Sequence, residues 1–295
     1  MSSPSLDAEL VGLYWTVSGP VEVHVGREWS LFGWADRCAE AQKVGFAGLG
    51  IWHADLQHVL ETSSLSEMKK AFDDNGLRHL ELEFLMDWFL DPGDERRAAS
   101  DAMSDLLFRT AGVFGAHHVK VGNIPGTPCE IPKLTERFAE LCARAAEHTD
   151  AKVVYEFMPF DANVKSIATA LEVVGGAGAA NGGIAIDTWH MSKLGIAPGE
   201  LGRIPLEYLS WVELSDGWFA NLPDPIDEVV NHRELPGEGE FDLHGYIAAC
   251  SDQGYAGPWG VEVLSEELRN NPIDVIFRRA YDATASQFAN ERSST

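Results

Sequence analysis

The sequence KVVYEF at residues 152–157 is a short apolar run rich in β-forming residues, and a longer amphipathic run follows it at about 164–174. The same kind of apolar run returns as GIAIDT at 183–188, LSWVEL at 209–214 and WGVEVL at 259–264. Strands that alternate with helices in this way form a parallel sheet with helical crossovers. The second half of the chain therefore predicts four consecutive strand–helix units.

The first half of the chain repeats this unit four more times. Its apolar runs are LVGLYWT at 10–16, AGLGIW at 47–52, RHLELEFL at 78–85 and HHVKVG at 117–122. Further helices are predicted at about 31–44, 64–75, 94–114, 132–148, 198–204, 243–253 and 272–288. Eight units without a linker or a break in composition predict a single-domain α/β protein, a (β/α)8 TIM barrel over residues 1–295. An open doubly wound sheet is the alternative fold.

The composition excludes several classes of function. The chain has 46 Asp and Glu residues against 22 Lys and Arg, a formal net charge of −24 that repels phosphate backbones. No stretch approaches the ~20 apolar residues of a membrane span, and residues 1–7 (MSSPSLD) lack the start of a secretory signal. We expect a cytoplasmic protein that binds neither nucleic acid nor membranes. The sequence does not determine the oligomeric state and is compatible with a homo-oligomer.

Each of the last four predicted strands carries a carboxylate near its C-terminal end: Glu156, Asp187, Glu213 and Glu262. A carboxylate in a buried strand is costly unless it is paired or coordinated. In a barrel these strand ends meet at one mouth, where catalytic residues gather. A divalent cation is the simplest way to hold four carboxylates together. The sequence therefore predicts a metal site formed by these four residues, with separate structural hydrogen bonds as the alternative.

The same residues lie in motifs that resemble a known family. The motifs are Glu156, DTWH at 187–190, the strand-seven segment ending at Asp216, HRELPGEG at 232–239 and GVE at 260–262. In this order and spacing they resemble the xylose isomerase-like TIM-barrel superfamily of sugar phosphate isomerases and epimerases. Its members include relatives of inosose dehydratase, tagatose 3-epimerase and hydroxypyruvate isomerase. The resemblance covers essentially the whole chain and is strongest from about 150 to 265.

The resemblance implies that Glu156, Asp187 and Glu262 hold a metal. The family usually has a histidine at the fourth position, three residues before the strand-seven Asp, and Glu213 stands there in this chain. An added carboxylate hardens the site and favours Mg²⁺ or Mn²⁺ over zinc, although Glu213 could face a water instead. The resemblance further implies that His190 and Arg233 contact substrate. A loop cap and a salt bridge are the structural alternatives for these two residues.

Further polar and aromatic residues near strand ends extend the predicted pocket. Glu83 and Lys120 are predicted to line it, although strand alternation does not say which face looks inward, and a structural salt bridge is an equal alternative. Trp189 is one of several tryptophans at strand ends, where an aromatic face suits the apolar side of a sugar ring. The PGEG segment at 236–239 contains Glu238 and is a poor phosphate cradle. We therefore expect an unphosphorylated substrate.

The resulting hypothesis is a divalent-metal-dependent isomerase or epimerase of a sugar or keto-polyol. Glu156 and Glu262 would remove and return a proton next to a carbonyl, with the cation stabilising the enediolate as a Lewis acid. Loss of a β-hydroxyl from the same intermediate would instead make the enzyme a lyase, such as a dehydratase. The ligand residues do not separate these outcomes. The charge of −24 argues against an endonuclease-like member, and a sugar-binding protein without metal is a third class.

Overall fold

Eight strands form the centre of the protein. They are β1 (Leu10–Gly12), β2 (Gly48–Trp52), β3 (His79–Leu85), β4 (His118–Val121), β5 (Lys152–Glu156), β6 (Gly182–Asp187), β7 (Leu209–Leu214) and β8 (Trp259–Val261). All pair in parallel with their sequence neighbours, and β1 pairs with β8, which closes the barrel. The predicted (β/α)8 TIM barrel is confirmed, and the open doubly wound sheet is wrong.

The computed structural model of the chain describes residues 8–21, 23 and 27–289. The prediction of one domain also covers residues 1–7 and 290–295, and the prediction of no secretory signal rests on residues 1–7. Both of these ranges lie outside the described residues. None of the helices in the described ranges is long and apolar enough to cross a membrane.

Helices follow every strand. In chain order they are α1 (Tyr14–Val17), α2 (Trp34–Val44), α3 (His53–Leu60), α4 (Leu65–Asp74), α5 (Glu95–Phe114), α6 (Ile131–Ala146), α7 (Ile167–Gly176), α8 (Thr188–Lys193), α9 (Pro225–Asn231), α10 (Leu243–Asp252), α11 (Glu266–Arg269) and α12 (Ile273–Ala289). A 3-10 helix at Pro198–Arg203 lies between α8 and β7. The long helices pack their apolar sides on the outside of the barrel and form the main core with it.

The structure corrects several predicted boundaries near the mouth of the barrel. β1 ends at Gly12 and not at residue 16, because the chain turns directly into α1. β8 likewise ends at Val261, three residues before the predicted end. The helices α1, α3, α8, α9 and α11 were not predicted. They have four to eight residues, too few for a helical period to stand out in the sequence.

Local capping chemistry explains where the long helices begin and end. Ser64 and Glu67 form a capping box at the start of α4, and the side chain of Asp94 caps α5. Gly45 and Gly115 end α2 and α5 in the left-handed conformation, with φ of 112° and 66°. This conformation suits glycine because it has no Cβ. These signals place the helices, and with them the strand ends that carry the site.

The interior of the barrel is built in two layers. The lower layer contains an apolar cluster of Val11, Leu13, Val154, Ala185 and Trp211. Residues two apart on a strand point to the same side, and Glu156, Asp187 and Glu213 each lie two residues beyond a member of this cluster. The acids therefore lie next to this buried apolar cluster, on the side nearer the C-terminal ends of the strands.

His118 is buried in the lower layer, with its ring centroid 4.4 Å from that of Trp211. Burial, together with the nearby charges of His117 and Lys120, lowers the pKa of His118 well below its ordinary value. The unfolded chain therefore takes up a proton here at a higher pH than the folded chain does. Stability conferred by the neutral ring is present above the ordinary histidine pKa of about 6.5 and is lost as the pH falls through and below it.

We expect the free energy of unfolding to fall more between about pH 7 and pH 5 in the wild type than in His118→Gln. Only in the wild type does this ring become exposed on unfolding and take up a proton. Urea denaturation at both pH values measures this difference. The substitution His58→Gln, at a half-exposed surface position, is the control and should follow the wild type. Equal losses in wild type and His118→Gln would contradict the assignment.

Candidate functional site

The ammonium group of Lys120 lies among carboxylates at the mouth of the barrel. Its Nζ is 2.7 Å from Glu213 Oε1, 3.1 Å from Glu262 Oε1, 3.4 Å from Glu83 and 3.5 Å from Glu156. Burial would lower the pKa of Lys120, but the carboxylates around it outweigh burial and hold the pKa well above its ordinary value. The group therefore stays charged, and Glu83 and Lys120 both point into the barrel.

The four carboxylates at the ends of the last four strands come together. Glu156, Asp187, Glu213 and Glu262 are all buried, and each offers an oxygen within 4.8 Å of the others. In the described part of the chain, Glu156 Oε1 and Glu213 Oε2 are buried without a hydrogen-bond partner. Such oxygens are costly to bury, and carboxylate oxygens are the ligands that hard divalent cations prefer. The donor set and its unpaired oxygens therefore fit a divalent metal.

Asp187 is fixed from two sides. Its Oδ1 accepts hydrogen bonds from the backbone N–H groups of Trp189 at 2.7 Å and His190 at 3.4 Å, which caps α8. Its Oδ2 accepts one from Arg233 Nη1 at 2.7 Å, and the same nitrogen lies 3.3 Å from Glu262 Oε2. Burial would raise the pKa of Asp187, but the Arg233 charge and His190 outweigh it and lower the pKa. Asp187 is thus an ionised group in a set orientation.

His190 lies beside Glu156 at the edge of the cluster. Its Nε2 is 3.3 Å from Glu156 Oε1 and 3.5 Å from Asp187 Oδ2. The ring meets that of Phe160 edge-on, with centroids 5.7 Å apart. Its Nδ1 is buried and has no hydrogen-bond partner within the described residues. His190 therefore contacts the carboxylates, and it also lines the space above them.

Glu156 and Glu262 differ in the charge state that their surroundings favour. For Glu156, burial raises the pKa, but Lys120 and the nearby ring of His190 outweigh it, so the pKa lies below its ordinary value. For Glu262, burial dominates over the opposing charge of Lys120 and raises the pKa to about 8. Two carboxyl groups whose surroundings separate their pKa values are suited to act as a base and an acid.

Arg233 is carried by the HRELPGEG segment at 232–239. Asp216 anchors this segment, because its Oδ2 accepts a hydrogen bond from the backbone N–H of Gly237 at 3.0 Å. Gly237 has a φ of 90°, a conformation that side chains with a Cβ rarely adopt. The ring of Trp189 lies under the guanidinium group, with 4.9 Å between Cζ and the ring centroid. Trp189 is not among the residues that line the cavity, so it contacts Arg233 and supports it from behind.

A cavity of about 220 Å³ opens above the cluster. Its polar lining consists mainly of Glu83, Lys120, Glu156, His190, Arg233 and Glu262. Its walls are mostly apolar and include Trp15, Trp52, Phe84, Met158, Phe160 and Leu264. A ligand would therefore place oxygen atoms against this polar lining and an apolar face against the walls.

Glu28 also lines the cavity, and it was not predicted from the sequence. It lies in the loop between α1 and α2, and its Oε2 accepts a hydrogen bond from Trp52 Nε1 at 3.0 Å. Loops have no periodicity that singles out one acidic residue. The neighbouring Trp29 is a local sign of a partly buried segment.

The family described as xylose isomerase-like TIM barrel matches residues 38–283 of the chain. The chain belongs to this family. The superfamily inferred from the motifs is thereby confirmed. A 3-dehydroshikimate dehydratase from Pseudomonas aeruginosa is 27% identical over 231 residues, which make up 78% of this chain and 36% of that protein. The chain thus spans about a third of the length of this dehydratase.

Two further relatives match over most of their own length. An inosose isomerase from Halalkalibacterium halodurans is 23% identical over 259 residues, or 82% of this chain and 87% of that protein. The solved structure of IOLI protein with a binding zinc atom has a TM-score of 0.78 at 16% identity and covers 96% and 98% of the two chains. This structure shares the fold. The dehydratase and the isomerase, which were found by sequence, are both enzymes by their names.

Proposed function

We propose that the chain is a divalent-metal-dependent isomerase or epimerase that moves a proton next to the carbonyl of an unphosphorylated sugar or keto-polyol. The observation that carries this proposal is the convergence of Glu156, Asp187, Glu213 and Glu262 within 4.8 Å beside a cavity. A divalent cation bound there supplies the Lewis acidity that makes a C–H next to a carbonyl more acidic. Mn²⁺ or Mg²⁺ is the proposed ion, because all the ligands are hard oxygens.

Glu156 and Glu262 are proposed to take and return the proton. Glu156 ends β5 and Glu262 follows β8, two strands that are not neighbours in the barrel, and both residues line the cavity. A substrate bound between them would expose the same carbon atoms to two carboxylates that come from different parts of the barrel wall. Return of the proton to the other face of one carbon gives an epimer. Return to the adjacent carbon gives an isomer.

Arg233 and His190 are proposed to hold substrate oxygens. Arg233 Nη1 is engaged with Asp187 and Glu262, whereas Nη2 makes no hydrogen bond to any residue in the described ranges. Because Arg233 lines the cavity, Nη2 is available to donate to a substrate carbonyl or hydroxyl. His190 also lines the cavity, and its imidazole is proposed to make a second polar contact with the substrate.

We expect Arg233→Lys to lower kcat/KM by about 10- to 100-fold, the usual effect of losing a group that orients metal ligands. A lysine keeps the charge but cannot contact Asp187, Glu262 and the substrate through one planar fork. Steady-state kinetics on a substrate that the enzyme turns over measures the effect. The control Arg203→Lys lies on the surface, with 70% of its side chain exposed, and should be neutral. An unchanged kcat/KM in Arg233→Lys would remove this residue from the proposed site.

A dehydratase acting on a keto-polyol is the second candidate. It is supported by the 27% identity to a 3-dehydroshikimate dehydratase. The mostly apolar walls also suit a ring that carries fewer hydroxyl groups than a free hexose. Proton removal would be the same, followed by loss of the β-hydroxyl as water. The same residues therefore serve both candidates.

The test is an assay of the purified protein with Mn²⁺ or Mg²⁺ on 3-dehydroshikimate, an inosose and a free ketohexose. Nuclear magnetic resonance identifies an isomer or epimer, and ultraviolet absorbance reports the new conjugation that dehydration creates. This is an aromatic ring from 3-dehydroshikimate, which is already an enone, and an enone from the inosose or the ketohexose. An isomer or epimer without that absorbance supports the first candidate. A dehydrated product supports the second. No turnover of any of the three with either ion would count against both.

A further inference from the structure

We infer that Lys120 and Glu213 form an internal ion pair that fills one corner of the carboxylate cluster, so that Glu156, Asp187 and Glu262 alone hold the metal. The inference rests on the metal-dependent function proposed above. It assigns Glu213 to Lys120 and not to the cation. Lys120 is then a positioning residue that sets the charge of the site.

The first support is the way Glu213 is held. Its Oε1 accepts hydrogen bonds from Lys120 Nζ and Trp211 Nε1, both at 2.7 Å. Trp211 lies two residues earlier on β7, on the same inward side. Neither side chain of the Lys120–Glu213 pair has any exposed surface. Two donors on one oxygen, one of them charged, fix the orientation of this carboxylate.

The second support is the way the other three carboxylates are held. Asp187 and Glu262 each bond to Arg233, and Asp187 has no contact with Lys120 within 4.0 Å in the described part of the chain. Glu262 is 3.1 Å and Glu156 3.5 Å from Lys120, both farther than the 2.7 Å of Glu213. Glu156 Oε1 and Glu213 Oε2 both lack a hydrogen-bond partner in that part of the chain, so the distances to Lys120 distinguish the carboxylates. Glu213 is thus the carboxylate most fully engaged by Lys120.

The test is a titration of the chelator-treated protein with Mn²⁺ by isothermal calorimetry, for the wild type, Lys120→Met, Glu213→Gln and the double variant. Lys120→Met should bind Mn²⁺ at least about tenfold more tightly than the wild type, because a positive charge next to the cation is removed. Glu213→Gln should bind it more weakly, because Lys120 is then unpaired. The double variant should return to within about threefold of the wild type. The exposed pair Glu40 and Lys43, changed to Gln and Met, is the control.

A second measurement distinguishes a counter-ion from a ligand. The d–d absorption spectrum of bound Co²⁺ depends on the atoms that coordinate it, and should be the same in the wild type and the double variant. A changed spectrum, together with an affinity for Mn²⁺ more than about tenfold below the wild type, would overturn the inference, because additive charge effects do not predict it. Thermal unfolding shows that each variant is folded. The double variant removes both charges at once, so it stays informative if Lys120→Met alone does not fold.

The inference and the proposed function can fail separately. If Lys120→Met binds Mn²⁺ and the wild type does not, Lys120 occupies the place of the cation, and the proposed metal-dependent function falls. If neither protein binds Mn²⁺, both are overturned. If the wild type binds Mn²⁺ and Lys120→Met binds it no more tightly, the ion pair does not set the charge of the site, and only the inference falls.

Discussion

The substitution Glu262→Gln is expected to lower kcat by about 10³-fold or more, within the range found when a general acid or base is lost. Glutamine keeps the shape of the side chain but cannot carry a proton to or from the substrate. Its amide nitrogen also replaces one of the two oxygens that accept from Lys120 Nζ at 3.1 Å and Arg233 Nη1 at 3.3 Å. Glu156→Gln should have an effect of the same order, because the two groups act in one transfer.

These kinetic effects are measured on whichever compound of the substrate panel the wild type turns over. Glu266→Gln is the matched control, because Glu266 is exposed four residues after Glu262, and it should keep the wild-type kcat. Thermal unfolding separates a catalytic loss from a loss of folded protein. Full activity in both Glu156→Gln and Glu262→Gln would show that proton transfer does not depend on these carboxylates.

Removal of the divalent metal is expected to abolish turnover. Without the cation, the charge that develops next to the carbonyl is not stabilised, and the clustered carboxylates repel one another. Treatment with a chelator followed by elemental analysis establishes the metal-free state. Adding Mn²⁺ or Mg²⁺ back should restore the rate, and Zn²⁺ should restore less of it, because the ligands are all oxygen atoms. Full activity in protein shown to be metal-free would refute metal dependence.

The barrel itself could be predicted because its signals are local and repeated. Apolar runs of strand length alternate with amphipathic runs eight times, and the predicted strand at 209–214 matches β7 residue for residue. The convergence of the carboxylates was also predictable from the fold, since parallel strand ends meet at one mouth of a barrel. Asp187 and Glu213 lie level with each other in the register of β6 and β7.

Other parts of the site depend on contacts that the sequence does not specify. Alternation along β3 and β4 leaves two choices of face, and the contact of Glu83 with Lys120 and with the backbone N–H of Tyr14 shows which one is adopted. The turn from β1 into α1 provides that N–H, and its four-residue helix leaves no periodic signal. The path of the loop that brings Glu28 to the cavity is likewise set by tertiary contacts.

Binding of Mn²⁺ to the metal-free protein tests most directly whether the carboxylate cluster is a divalent-metal site. We predict that calorimetry will show one site per chain in the wild type and a loss of most of the affinity in Asp187→Asn, which removes a charged ligand. The substitution Asp252→Asn, at an exposed position, should leave binding unchanged. The absence of binding in the wild type, or equal binding in Asp187→Asn and the wild type, would contradict the proposed site.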